Sequence, residues 1–187
     1  MCGNGTICLT LAYHRDIDEL MFERVFTPLG IQRSDLVWPK NQFRPAQIGG
    51  LARREFGSGI SADVDAMARI GLLMLRGGRW RDAQIIPREF VAGATRPLPQ
   101  FASLPVHPNS LKEMGLNAPK HYGLLWWNNA DGTLTNVPRD AYWSWGLYDS
   151  LILVIPSLDI VVARAGKSWP RNPVARITIR CGLSSSR

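Results

Sequence analysis

The chain has 187 residues, 45% of them apolar, and a formal charge of +7 from 22 Lys and Arg against 15 Asp and Glu. That length and apolar share support one globular domain with a real core, and exclude a disordered chain or a disulfide-stapled miniprotein. The basic residues come in ones and twos (Arg53-Arg54, Arg79, Arg81, Arg88, Arg96) without a nucleic-acid-binding motif, so they read as a solvated surface and no nucleic-acid partner is expected.

No uninterrupted apolar run is long enough to span a bilayer, and the opening Met1-Cys2-Gly3-Asn4-Gly5-Thr6 lacks the basic and apolar regions of a signal peptide. Neither a membrane span nor a signal peptide is expected. Cys2, Cys8 and Cys181 are odd in number and lack CxxC spacing, which reads as free thiols. His14, His107 and His121 are isolated, so no metal is expected, and no cofactor motif is present.

Asp16 opens the first expected helix, with Glu19 three residues on as in a capping box. Ile17, Leu20, Met21 and Val25 share one face, and Pro28-Leu29-Gly30 ends the helix. From Gln32 to Gly59 the breakers Pro39, Pro45, Gly49-Gly50 and Gly57-Ser58-Gly59 predict a long ordered loop over a site or surface. A second helix follows, with Ser61 as its expected N-cap. Val64, Met67, Ala68, Gly71, Leu72 and Leu75 recur at helical spacing, and Gly77-Gly78 stops it. That stripe reads as core packing. Pro87 begins a short third helix over 88–94.

Residues 121–167 then hold three apolar runs, 122–127, 141–145 and 151–165. The last is cut by Pro156-Ser157-Leu158-Asp159, a turn that joins two antiparallel strands, 151–155 and 160–165. The runs show little strict alternation, so the meander should be covered on both faces, by helices. The expected class is α+β, an antiparallel sheet with flanking helices.

Several hydrolase and nucleotide-binding signatures are missing: GxSxG, HExxH, a phosphate loop with GK(S/T), and GxGxxG after a strand. What is present resembles a family. The run Ser58-Gly59-Ile60-Ser61-Ala62-Asp63-Val64-Asp65-Ala66-Met67-Ala68-Arg69-Ile70-Gly71, continued by Leu73-Met74-Leu75-Arg76-Gly77-Gly78-Arg79-Trp80, is similar to a helix segment of the class C β-lactamase-like serine hydrolases. Pro28-Leu29-Gly30, Tyr122-Gly123-Leu124-Leu125-Trp126-Trp127 and Ile155-Pro156-Ser157-Leu158-Asp159-Ile160-Val161-Val162 fit the same family in order. It includes β-lactamases, penicillin-binding DD-peptidases and esterases.

The resemblance implies an acyl-enzyme mechanism in which a Ser-x-x-Lys turn supplies the nucleophile, because a serine hydroxyl attacks only when a base takes its proton. No serine in this chain has lysine three residues on. The family's Tyr-x-Asn could be laid only on Cys2-Gly3-Asn4, where cysteine replaces tyrosine, and no role is carried onto Asn4. The family's Lys-Thr-Gly strand falls on Ser144-Trp145-Gly146. Gly146 matches and Ser144 replaces the cation. By the resemblance Trp145 would wall the acyl pocket, and the backbone N–H of Leu147 would be the second oxyanion donor. Trp143 and Trp145 read equally well as ordinary strand aromatics.

The expectation is one partial, incomplete β-lactamase/transpeptidase-like domain over 1–187, without the nucleophile-bearing N-terminal segment and with a poorly ordered tail over 168–187. In the complete family member the substrate would be a small molecule or peptidoglycan-like, and such members are often periplasmic or secreted. The sheet would keep an uncovered edge, which favours self-association and marginal stability alone. Two other readings stand beside it. One is a non-catalytic module that binds sugars or peptides on Trp126, Trp127, Trp143, Trp145 and Trp169. The other is a hydrolase using Ser144 or Ser58.

Overall fold

The computed structural model describes residues 4–55, 59–101, 103–105 and 118–166. The expectations for Cys2, Ser58, His107, Trp169, Cys181 and the tail over 168–187 fall outside the described residues. A helix that the sequence pattern did not announce, α1 (Asn4–Tyr13), comes first. Helix α2 (Ile17–Met21) starts as expected at Asp16, whose side chain accepts from the Asp18 N–H, and continues through a π-helical turn, Phe22–Phe26.

The predicted long loop is ordered by short antiparallel pairs. Leu36–Val37 (β1) pairs with Ser61–Ala62 (β4), and Gln47–Ile48 (β2) pairs with Leu51–Ala52 (β3). Helix α3 (Val64–Leu75) is capped by Asp63, which accepts from the Ala66 N–H at 2.7 Å. This corrects the expectation of Ser61. Pairing with β1 draws Ser61 into a strand, so the next good capping residue takes the role. Arg79–Trp80 (β5) and Ala83–Gln84 (β6) form a small hairpin, and α4 (Arg88–Ala94) begins after Pro87 as the sequence predicts.

Trp127–Asn128 (β7), Tyr142–Trp145 (β8), Leu151–Ile155 (β9) and Ile160–Arg164 (β10) form one antiparallel sheet in the order β10-β9-β8-β7. The meander is as expected over β8 to β10. It is not over 122–127, where only Trp127 enters a strand. Gly123 lies against the Ala94 and Arg96 carbonyls at the end of α4, too close for any side chain, and Leu125 takes φ +67°, so the chain turns back before it can extend.

Register partners share a face of the sheet. Asn128, Tyr142, Val154 and Val161 lie on one side with Ser144 and Ile152, and that side receives Met74 of α3 and Val91 of α4. Gly71 is the point of closest approach: a Cβ there would stand 2.5 Å from Val161 Cγ1 and 2.9 Å from Ile152 Cγ2. The other side carries Trp127, Trp143, Leu153 and Ile155, packed with Tyr122, Leu134 and Val137. That cover comes from a loop and not from the helix expected there. The loop is folded around Asn129, 0% exposed, whose amide donates to the carbonyls of Leu134 and Val137 and whose Oδ1 accepts from the Leu134 N–H.

A second cluster joins α2 to α3 through Phe22, Phe26, Leu29, Leu36, Ala66 and Leu73. Burial of each such side chain contributes about 1.5–3 kcal/mol, which fixes the helices around the sheet.

Candidate functional site at the end of strand β8

The candidate residues sit where β8 outruns its neighbour. β7 pairs only with Tyr142 and Trp143, so beyond them the outer edge of β8 is open among the described residues. Ser144 and Trp145 are successive strand residues and point to opposite faces. Ser144 stands beside Ile152 on the helix side. Trp145 is half-buried on the other side, beside Leu151. Their side chains do not line one pocket; what Ser144, Trp145 and Gly146 share is the edge.

A strained turn follows. Gly146 donates to Ser150 O at 2.9 Å, and Ser150 N–H donates to Leu147 O at 3.1 Å. Between them Tyr148 and Asp149 take φ +59° and +55°, the left-handed pair of a type I′ turn, without the glycine or asparagine that such turns favour. Three side chains hold it. Arg164 Nη1 donates to the carbonyls of Tyr148 at 3.2 Å and Asp149 at 2.6 Å, Trp145 Nε1 donates to Asp149 Oδ1 at 3.3 Å, and Ser150 Oγ donates to Leu147 O. Leu147 and Tyr148 are each 68% exposed at the tip. No described group accepts from the Leu147 N–H.

No base is placed for Ser144 among the described residues. No described titratable group hydrogen-bonds to it, and Tyr142, on the same face, is held in its neutral form by burial, with the Asp140 charge acting in the same direction. Asn4, the remaining part of the poorly matching Cys2-Gly3-Asn4, opens α1. Cys8 is a free, exposed thiol, and no described cluster of His, Cys, Asp or Glu could hold a metal ion. No described helix is long and apolar enough to cross a membrane.

Two clefts of the described residues lie elsewhere. One, of about 280 Å³, runs between α3 and β10, lined by Ala68, Leu72, Leu75 and Val161 and rimmed by Asp65, Arg69, Arg76 and Asp159. Another borders Gln84 and Arg88. The aromatic platform is also reduced, because Trp127 and Trp143 are 8% and 5% exposed and belong to the core. Arg164 and Asp149, which hold the turn, were not singled out from the sequence. Nothing in their spacing announces that a strand arginine reaches a turn fifteen residues upstream.

No protein-family model matches the chain, and no curated protein matches it. Solved structures do. A protein assigned as a β-lactamase from Bacteroides dorei DSM 17855 superposes with a TM-score of 0.61 at 17% identity, over 86% of this chain and 47% of its own. Simvastatin synthase (LovD) from Aspergillus terreus gives 0.55 at 19% identity, over 90% and 48%. A protein assigned as a 6-aminohexanoate-dimer hydrolase from Bacillus anthracis gives 0.53 at 15% identity, over 84% and 34%. The chain therefore has an α+β, β-lactamase-like fold matching part of each of these structures, and spans a third to a half of their length.

Proposed function

We propose that this chain is the C-terminal scaffold part of a β-lactamase-related serine hydrolase, which cleaves amide or ester bonds through an acyl-enzyme, and that it is inactive without a segment carrying the nucleophile. The observation that carries the reading is the fold match joined to the position of Ser144-Trp145-Gly146 on an open strand edge. In this reading the edge receives the substrate and the exposed turn presents the Leu147 N–H to the developing oxyanion, where a fixed donor stabilises charge most. Ser144 and Gly146 border the substrate, Trp145 props the turn from beneath, and no side chain of this chain attacks. The substrate class is a small molecule or a peptidoglycan-like peptide. One fold serves several such substrates, and the choice among them lies in the pocket.

The test is intact mass of the folded chain after a fluorophosphonate probe and, separately, a penicillin. No adduct is expected on the chain alone, and one stoichiometric adduct is expected once an upstream segment with Ser-x-x-Lys is supplied in reading frame. A stoichiometric adduct on Ser144 of the chain alone would overturn the reading. The alternative of an aromatic binding module loses two of its platform residues to the core, and no other observation favours it.

A further inference from the structure

The outer edge of β10 is unpaired among the described residues, and the ladder fixes which of its backbone groups point outward. Gly146 N–H bonds Ser150 O in the register that also pairs Tyr142 with Val154. Backbone groups alternate between neighbours along a strand, so the even-numbered residues of β9 face β8. Leu151, Leu153 and Ile155 then face β10 and take up Arg164, Val162 and Ile160. Val161 and Ala163 are left with their N–H and C=O groups directed outward.

That spacing is self-complementary. Laid antiparallel against itself about Val162, the strand sets Val161 opposite Ala163 twice, and each pair exchanges two hydrogen bonds. We propose that two copies of this chain pair β10 to β10 about a two-fold axis through Val162, joining their sheets into one of eight strands.

The edge lacks the devices that keep natural edges apart. Residues 160–164 contain no proline, lysine or bulge, and their one charge, Arg164, is turned to the Tyr148 and Asp149 carbonyls. On one face Ile160 and Val162 are 39% and 43% exposed, and pairing sets Val162 against Val162 of the second copy. On the other face the cleft beside α3 carries both signs of charge on its rim, with Arg76 bound to Asp159 and Arg69 to Asp65. A two-fold copy therefore meets no field of one sign. A five-residue edge and its flanks fall short of the ~1,200 Å² of a standard interface, so the dimer is weak and concentration-dependent. The inference rests on the reading of the chain as a partial domain whose sheet keeps an uncovered edge, and its cross-linking readout is separate from the adduct test of that reading.

The register gives a sharp test. With Cys2, Cys8 and Cys181 changed to serine, Val162→Cys places two thiols across a non-hydrogen-bonded pair, about 4.5 Å apart at Cα and within disulfide reach. Val162→Cys should cross-link to a dimer under mild oxidation, while Val161→Cys should cross-link only when mixed with Ala163→Cys. Sedimentation of the unmodified chain should move from one chain mass toward two as concentration rises, and Val162→Lys should hold it at one with an unchanged circular dichroism spectrum. A monomer at every concentration, or equal cross-linking of Val162→Cys and Val161→Cys alone, would overturn the proposal.

Discussion

Arg69 of α3 donates to the carbonyls of Leu29 and Gly30, at 3.0 and 3.3 Å, across forty residues of chain. Its Nε is held in turn by Asp65 at 2.7 Å. The contact explains why Pro28-Leu29-Gly30 and the Asp65-to-Arg69 segment occur together: the arginine satisfies carbonyls left open just beyond the π-helical continuation of α2. Gly30 takes φ +74°, and a Cβ on it would lie 2.7 Å from Arg69 Nη1. Gly30→Ala should therefore destabilise the fold by about 2 kcal/mol, from left-handed backbone cost plus displacement of the guanidinium. Arg69→Met should cost about 1 kcal/mol. Urea unfolding of both variants and of the double variant should show the two losses to be non-additive.

Gly71 sets two effects against each other. Alanine gains about 1 kcal/mol of helix propensity, and overpacking against Val161 and Ile152 costs about 1–3 kcal/mol. Both neighbours are β-branched strand residues with little room to move, so packing should win. Gly71→Ala is expected to lower stability by about 1 kcal/mol, and adding Val161→Ala should recover part of the loss. A thermal melt of the pair checks this, and a stabilised Gly71→Ala would mean that the sheet yields.

Asp16 supplies the pH dependence. Burial disfavours its charged form, yet hydrogen bonds from Arg54 and the Asp18 N–H, with the charges of Arg54 and Lys40, outweigh burial and hold the carboxyl below its ordinary value near 3.8. A depressed folded value means that the stabilisation is complete above the unfolded value and disappears as pH falls through the folded one. Stability should be flat above about pH 5 and fall below about pH 4. Side chains of the pair are only 12–14% exposed, and Arg54 Nη1 also donates to the Trp38 carbonyl. Asp16→Asn should thus cost about 3 kcal/mol at neutral pH and flatten the acid limb of a urea-midpoint titration.

At the β8–β9 turn the strain can be relieved without touching the sheet. Tyr148 is exposed and left-handed, and asparagine tolerates that backbone better. Tyr148→Asn should raise stability by about 0.5–1 kcal/mol, read as a shift in urea midpoint. A loss would show that the ring makes a contact worth more than the strain.

Periodicity made α3 legible, Pro87 made α4 legible, and the turn chemistry of Pro156 and Asp159 made the β9–β10 hairpin legible: Asp159 takes φ +52° where the sequence predicts a turn. Long-range pairing was not legible. Ser61 and Asp63 are both good caps, and only the meeting of β1 with β4 decides between them. The Tyr122-Gly123 run reads as a strand until Gly123 is seen against the end of α4. In α1, Thr6, Ile7 and Thr10 are β-branched and no apolar stripe forms, so local preference argued against the helix that is there. At the candidate site Ser144 to Leu147 were legible as one stretch, and strand alternation already parts Ser144 from Trp145, but the reach of Arg164 from β10 to the Tyr148 and Asp149 carbonyls was not legible.

Asn129 gives the loop after β7 an interior made of one side chain. Its amide takes the place that a strand partner would hold, so the segment from Ala130 to Pro138 has no separate way to open. A protease must draw several residues into its cleft in extended form, and here that requires breaking the amide's bonds and lifting Leu134 and Val137 from the cluster of Trp143 and Leu153. Nicking of this loop is thus a clock for loss of the whole face it covers, and a chain cut there has already let go of its tryptophans.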